Sequence, residues 1–180
     1  MFRRVPKRIA FIGRARSGKD SAAARLVERH GFTRVAFADP LKSLALSVDP
    51  LVNDGTHLSY VLQWWGWEQA KDELPEVRRV LQALGQSIRD VHPNFWVNLA
   101  MDTVGSIAGP VVVTDCRYRN EVEALKARGF RIVRVVRPPH GGELTGPQHV
   151  SETELDDFEP DAVLFNLGSL QDLWDRVDML

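Results

Sequence analysis

Only one cysteine, Cys116, stands among the 180 residues, so the chain cannot close an internal disulfide. No apolar run approaches the ~20 residues that a membrane span needs. The opening stretch MFRRVPKRIAFIG is likewise too short in its apolar part for a secretion signal. An excess of one charge is missing too: 23 Lys and Arg face 24 Asp and Glu, for a net charge of -1. That balance gives no field for gripping a polyanion and argues against a nucleic-acid partner. Low-complexity tracts and solenoid repeats are not visible. These absences predict a reducing, cytoplasmic setting with neither membrane nor nucleic acid as partner. At 44% hydrophobic residues, the chain can bury one good core, and a single domain over 1–180 is expected.

What the sequence contains is an alternation of strands and helices. RIAFI (8–12) reads as a buried strand, followed by a glycine turn and the helix SAAARLVERHG with its glycine stop. TRVAFA predicts a second strand running to Asp39 and Pro40, and LKSLAL a short helix behind that proline. PVVVTDC, FRIVRVV and DAVLFN supply three more strands, with the helices NEVEALKARG and SLQDLWDRV. The pattern predicts an α/β fold, a five-stranded parallel sheet with helices on both faces. In such a sheet ligands bind at the carboxyl ends of strands, which selects Gly13 onward, Asp39, Asp115 to Arg117, Arg137 and Asn166. Residues 53–104 break the alternation and read as a helical insertion. The proline- and glycine-rich segment at 138–150 reads as a lid loop, and it contains no lysine or arginine.

The stretch GRARSGKDS (13–21) fits G-x-x-x-x-G-K-[ST] up to Lys19, then places Asp20 where a hydroxyl is expected and Ser21 behind it. It follows a strand and opens a helix. In that context glycines let backbone N–H groups turn around phosphate oxygens, the helix N-terminus adds its dipole, and the lysine reaches the outer phosphates. Nucleotide monophosphate kinases of the adenylate kinase type resemble it in carrying the hydroxyl one residue late. That likeness makes Ser21 a phosphate ligand and leaves Asp20 either on a magnesium-bound water or capping the helix.

In PEVRRVLQALGQSIRD, at ~100° per residue, Val77, Val80, Leu81, Leu84 and Ile88 fall on one side. Arg78, Gln82 and Arg89 line up within ~40° on another, as two guanidiniums around an amide suited to a nucleotide monophosphate, or as a solvated face. VVVTDCRYRNE ends a strand in Asp115, with Arg117 and Arg119 beyond. An acid there resembles the second phosphate-loop motif, which holds magnesium or its waters, and an arginine just beyond can neutralise charge on a transferring phosphoryl group. Arg14, Arg16, Arg117, Arg119 and Arg137 are the arginines available for that role. Trp64, Trp65 and Trp67 can stack a base but fit a helical core better. Ser151 and Glu154 form a capping-box pattern, and the histidines show no metal spacing.

Assembled, GRARSGKDS, FADPLK, GWEQAK, VRRVLQALG with FWV, VVVTDCRYRNEVEALKARGFRIVRVVRP, HVSE and FNLGSLQDL resemble the deoxynucleoside monophosphate kinases of tailed bacteriophages, in order over almost the whole chain. The resemblance implies a P-loop NTPase three-layer sandwich with a helical acceptor-binding insertion. It also implies ATP and Mg2+, a deoxynucleoside monophosphate acceptor, the host cytoplasm, and room for a homodimer. GKDS is then the family's own form. By the same resemblance Gly13, Arg14, Ala15, Arg16, Ser17, Gly18, Lys19, Asp20 and Ser21 hold ATP, with Arg137 and with Asn166, Gly168 and Ser169 near the adenine. Lys19, Arg16, Asp115 and Arg117 serve catalysis, and Asp20 and Asp115 hold the metal through water. Asp39, Lys42, Arg78, Gln82, Arg89 and Trp96 face the acceptor. Two alternatives stay open: a P-loop kinase for another small phosphorylated acceptor of the dephospho-coenzyme A or phosphomevalonate kind, and a nucleotide-binding switch. Against the switch, no N-K-x-D motif is present.

Overall fold

The computed structural model describes residues 7–138 and 154–180. Its contacts divide the chain into two compact units, Met1–Ala36 with Ala100–Leu180, and Phe37–Leu99. The helical unit therefore starts earlier and stops sooner than the insertion expected at 53–104.

In the first unit, β1 (Arg8–Ile12), β2 (Thr33–Val35), β5 (Val111–Val113), β6 (Arg131–Val136) and β7 (Ala162–Phe165) form one sheet in the order β2-β5-β1-β6-β7, every pair parallel. Both faces of the central strands carry buried residues, as their mostly apolar sequences RIAFI, VVV and RIVRVV require. Ile9, Phe11, Val112, Val133, Val135 and Leu164 pack with Ala22, Ala23 and Leu26 of α1 (Lys19–His30) and with Leu173 and Val177 of α7 (Leu170–Val177). Ala10, Ile12, Val111, Val113 and Ile132 alternate to the opposite face and are also fully buried. There α6 (Arg119–Ala127) lies against β6 and buries Val122 and Leu125. The crossover from β1 to β2 and the crossover from β5 to β6 travel in opposite directions along the sheet. Right-handed connections then place α1 and α6 on opposite faces, and a crevice opens between the carboxyl ends of β1 and β5.

The second unit holds α2 (Ala38–Val48), a hairpin of β3 (Leu51–Asn53) and β4 (Thr56–His57), α3 (Leu58–Glu73) and α4 (Pro75–Val91). The chain passes back to the first unit through α5 (Phe95–Ser106). Its core gathers Ala45, Val52, Leu58, Val61, Ala70, Val77 and Val80, with Leu62, Trp67, Leu74, Leu81 and Leu84 against it. The apolar face predicted for α4 is thus the buried one.

Three local expectations are corrected. β2 ends at Val35, and Asp39 and Pro40 lie in the first turn of α2. Proline needs no N–H partner there, and an acid is favoured by the helix dipole. The hairpin turns through Asp54 and Gly55, both at positive φ, the two-residue turn that NDG signals and that a purely helical reading of 53–104 passes over. Gly66, at φ 63 and ψ 179, breaks α3 in a conformation reserved for glycine and resets the helical phase behind Trp65. Trp67 consequently packs on the core while Trp64 stands 69% exposed.

The ends of α1 and α7 are joined by charge. Asp178 accepts from Arg25 Nε at 3.0 Å and Nη2 at 2.6 Å, and lies 2.9 Å from His30 Nε2. The Arg25 hydrogen bonds, helped by His30, hold its carboxyl at about 2, against an ordinary 3.8. A depressed carboxylate adds stability above its unfolded value and loses it as pH falls toward the folded one. Asp178→Asn should therefore lower the unfolding free energy in urea at pH 7 by on the order of 1–2 kcal/mol, a figure reduced for solvent screening. It should also flatten the acid limb between about pH 4 and pH 2.

Candidate nucleotide site

The loop between β1 and α1 is built around two glycines. Gly13, at φ 135, lies so close to the Val135 carbonyl that a Cβ would collide with it. Gly18, at φ 107, would bring a Cβ to 2.6 Å from Asn166 Nδ2. Both positions exclude side chains by conformation and by space. Lys19 is only 9% exposed and folds back over the loop, its Nζ donating to the carbonyl oxygens of Gly13 at 2.7 Å and Arg14 at 2.8 Å. The ammonium is thereby held at the loop's mouth. Ser17 is buried, and its Oγ has no partner among the described residues. Ala15 and Arg16 are exposed on the rim, with Arg16 at φ 60.

Across the crevice, β5 runs into Thr114 and Asp115. Thr114 is 2% exposed, and its Oγ1 has no partner among the described residues. A cleft of about 250 Å³ lined by Asp20, Ala23, Ala24, Val27, Glu28, Arg34 and Thr114 lies beside it. Asp20, in the first turn of α1, lines this cleft together with Glu28, and half-buried Asp115 follows Thr114. Among the described residues no group of three or more His, Cys, Asp or Glu side chains could hold a metal by itself. That donor set suits Mg2+, which keeps several waters and is shared with substrate phosphates. Cys116 is buried, and burial first, then Glu121 and Asp115, pushes its thiol well above the ordinary value. It is no nucleophile.

The turn that carries Arg117 is held by a residue the sequence reading passed over. Glu121, 2% exposed, accepts from the backbone N–H of Arg117 at 2.7 Å and of Tyr118 at 3.1 Å, satisfying two N–H groups ahead of α6. Its place as the third residue of α6 was the available signal, although the cap position holds Tyr118 and not the Ser or Thr of a capping box. Asp156 and Asp157 were missed as well, and Glu154, read only as part of a capping box, meets Arg119 instead. Asp157 pairs with the Arg119 guanidinium at 2.5 and 2.6 Å, Glu154 accepts from the Arg119 N–H at 2.9 Å, and Asp156 pairs with Arg14 at 2.8 Å. Arg134 fixes this acidic turn by donating to the carbonyls of Leu155 and Phe158. Beyond Pro138 the expected lid lies outside the described residues, as does Ser151 of the capping-box pattern. Arg137 is exposed after β6.

Asn166 follows β7, and its buried amide donates to the Ser17 carbonyl at 3.0 Å. A Cβ on Gly168 would collide with the Asp172 carboxylate, and Ser169 caps α7 in a reciprocal box with that residue. The Ser169 hydrogen bonds hold the Asp172 carboxyl below its ordinary range. Ser21 lends its carbonyl to Trp174 Nε1.

All acceptor-side candidates fall in the second unit. Arg78 projects from α4, with Nε donating to the Lys71 carbonyl and Nη2 to Asp72, both at 2.7 Å. Gln82 is exposed one turn on, and Arg89 is half-buried. Lys42 lies over the Trp67 ring, 5.6 Å from its centre, and Asp39 is half-buried. Trp96, 2% exposed, donates its indole N–H to the Gly85 carbonyl.

Comparison with known proteins gives a match to the model of the family "Deoxynucleotide monophosphate kinase" over residues 67–177. A protein of Acanthamoeba polyphaga mimivirus, provisionally named a deoxynucleotide monophosphate kinase, is 26% identical over 94% of this chain and 93% of its own length. The protein named deoxynucleotide monophosphate kinase of Escherichia phage RB69 is 35% identical over 58% of this chain and 44% of its own length. That of Enterobacteria phage T4 is 32% identical over 56% of this chain. The chain thus spans less than half of each phage protein, 44% of one and 43% of the other.

Replacing Glu121 by Ala should leave the Arg117 and Tyr118 N–H groups without their acceptor and lower the unfolding free energy by about 2–3 kcal/mol. Glu121→Gln keeps an acceptor oxygen and should lose less. Urea denaturation of both variants measures the difference, and equal losses would assign the effect to the carboxylate's charge rather than to its acceptor oxygen or its packing.

Proposed function

We infer the reaction from the premise that the family match supplies: the chain belongs to the deoxynucleotide monophosphate kinase family and is a phosphotransferase. It transfers the γ-phosphoryl group of ATP to the phosphate of a deoxynucleoside monophosphate, giving ADP and a deoxynucleoside diphosphate. The observation that carries this reading is the loop from Gly13 to Ser21, with two side-chain-free glycines and a buried lysine at its mouth.

In the transfer an oxygen of the acceptor phosphate bonds to the γ-phosphorus while the bond from that phosphorus to the bridging β-oxygen breaks. A phosphate monoester with its second pKa near ~6 is mostly dianionic at neutral pH, so its attacking oxygen needs no general base. Accordingly, none of the residues is assigned that role. What the reaction needs is positioning and positive charge. Loop N–H groups and Lys19 hold the β- and γ-phosphates, with Ser21 on an inner phosphate, and Arg16 and Arg117 neutralise charge on the transferring group. Asp20 and Asp115 would hold Mg2+ through its waters, and that ion supplies Lewis-acid stabilisation of the phosphates. Arg78 and Gln82, with Asp39, Lys42, Arg89 and Trp96 of the same unit, hold the acceptor.

A coupled ADP-release assay with Mg-ATP, offering dTMP, dGMP, dCMP, dAMP and the ribonucleotides singly, should show turnover that depends on one or more deoxynucleotides. Turnover with none of them refutes the proposed acceptor class. Dephospho-coenzyme A or phosphomevalonate would then be tried, and turnover indifferent to every small acceptor would point to a switch.

Two substitutions probe the roles. Lys19→Ala should lower kcat by about 100-fold or more with the fold intact, and retained activity would remove the loop from catalysis. Arg78→Ala should raise the KM for the acceptor far more than that for ATP. Equal changes in both would refute its acceptor role.

A further inference from the structure

The loop's anion-binding geometry rests on a side chain from the far end of the chain. Asn166 continues the β6 to β7 ladder, its N–H donating to the Val136 carbonyl at 2.8 Å, and this fixes the backbone from which its amide reaches out. The amide is buried and lies 3.0 Å from the Ser17 carbonyl oxygen, with the bond made by Nδ2. Only the donor end of the amide can make that contact, since two carbonyl oxygens do not bond.

In a trans peptide the C=O and the following N–H point in opposite directions. Holding the Ser17 carbonyl toward Asn166 turns the Gly18 N–H away from Asn166. That N–H makes no hydrogen bond to any described residue. The space left for Gly18 confirms how tightly the peptide is gripped: a Cβ there would lie 2.6 Å from Asn166 Nδ2 and 3.3 Å from Leu173 Cδ2.

We propose that Asn166 is a positioning residue that sets the Ser17–Gly18 peptide plane, so that the Gly18 N–H is presented as a phosphate donor, and that it acts through the loop rather than by contact with the adenine. This rests on the reading that the loop holds nucleotide phosphates. Without Asn166 the peptide is free to rotate, and the donor is no longer aimed before the ligand arrives. Asn166→Asp keeps the shape but sets a carboxylate against the Ser17 carbonyl, which drives the peptide out of position.

The test separates phosphate from base. Tripolyphosphate, adenosine and ATP are titrated calorimetrically into the wild-type protein, Asn166→Ala and Asn166→Asp, with circular dichroism and thermal unfolding as controls of the fold. Both variants should bind tripolyphosphate and ATP about tenfold or more weakly, by the same factor, with adenosine unaffected. In the coupled assay KM for ATP should rise while KM for the acceptor stays put. If the variants bind ATP more weakly but tripolyphosphate normally, Asn166 serves the base and the proposal fails. Unchanged tripolyphosphate binding in variants of a wild type that does bind it overturns the proposal alone. A wild type that binds ATP but not tripolyphosphate also overturns the proposal, because the loop then has no anion site formed ahead of the base, and a wild type that binds neither overturns the nucleotide reading beneath it.

Should the variants not fold, 15N spectra of the wild type decide. Tripolyphosphate should shift the Gly18 amide and leave the Asn166 side-chain amide in place. An Asn166 amide that shifts with adenosine instead would refute the proposal.

Discussion

Everything in the first unit depends on a close approach of backbone to backbone. The loop after β1 lies against the Val135 carbonyl of β6 and the Asn166 amide behind β7 with no space for a Cβ at Gly13 or Gly18. Parallel pairing of β1 with β6 and of β6 with β7 brings those strand ends level, and the fully buried faces of the sheet hold them there. The same sheet sets β5 on the other side of β1, so that Thr114 and Asp115 emerge beside the loop. A change in register of one strand would remove one wall of the loop, which ties the chemistry to the core.

Charge is distributed by a different rule. With net charge near zero the chain has no general attraction for anions, yet arginines gather after β1 and β5. An acidic turn, itself anchored on Arg134, partners Arg14 and Arg119. Those pairs are half-exposed and contribute little to stability. Their effect is to keep long, flexible guanidiniums extended in place. In the second unit Arg78 is held in a similar way by Asp72 and the Lys71 carbonyl.

Most of the sheet was legible in the sequence because β1, β5 and β7 are short apolar runs closed by a glycine or a polar residue. The loop was legible because its pattern ties residue types to backbone shape. What escaped notice was of another kind. Glu121 acts through two backbone N–H groups, and its role depends on where the turn before α6 folds. Asp156 and Asp157 meet arginines 142 and 38 positions away, a proximity that no local pattern encodes. Gly66 was readable as a glycine within a helix, but its phase reset, which turns Trp67 onto the core, follows from a backbone angle. Asp39 was misplaced because the proline after it ends a strand or begins a helix with equal ease.

Cys116 offers a practical consequence. It is buried behind β5, and its thiol is kept protonated by its surroundings. Maleimides and thiol-directed nitroxide reagents are electrophiles that a thiolate must reach and attack, so a buried, protonated thiol leaves the native protein silent to them. A cysteine introduced on either unit would be the sole reactive one, and a pair of dyes would report distances between chosen points with no need to engineer a cysteine-free background.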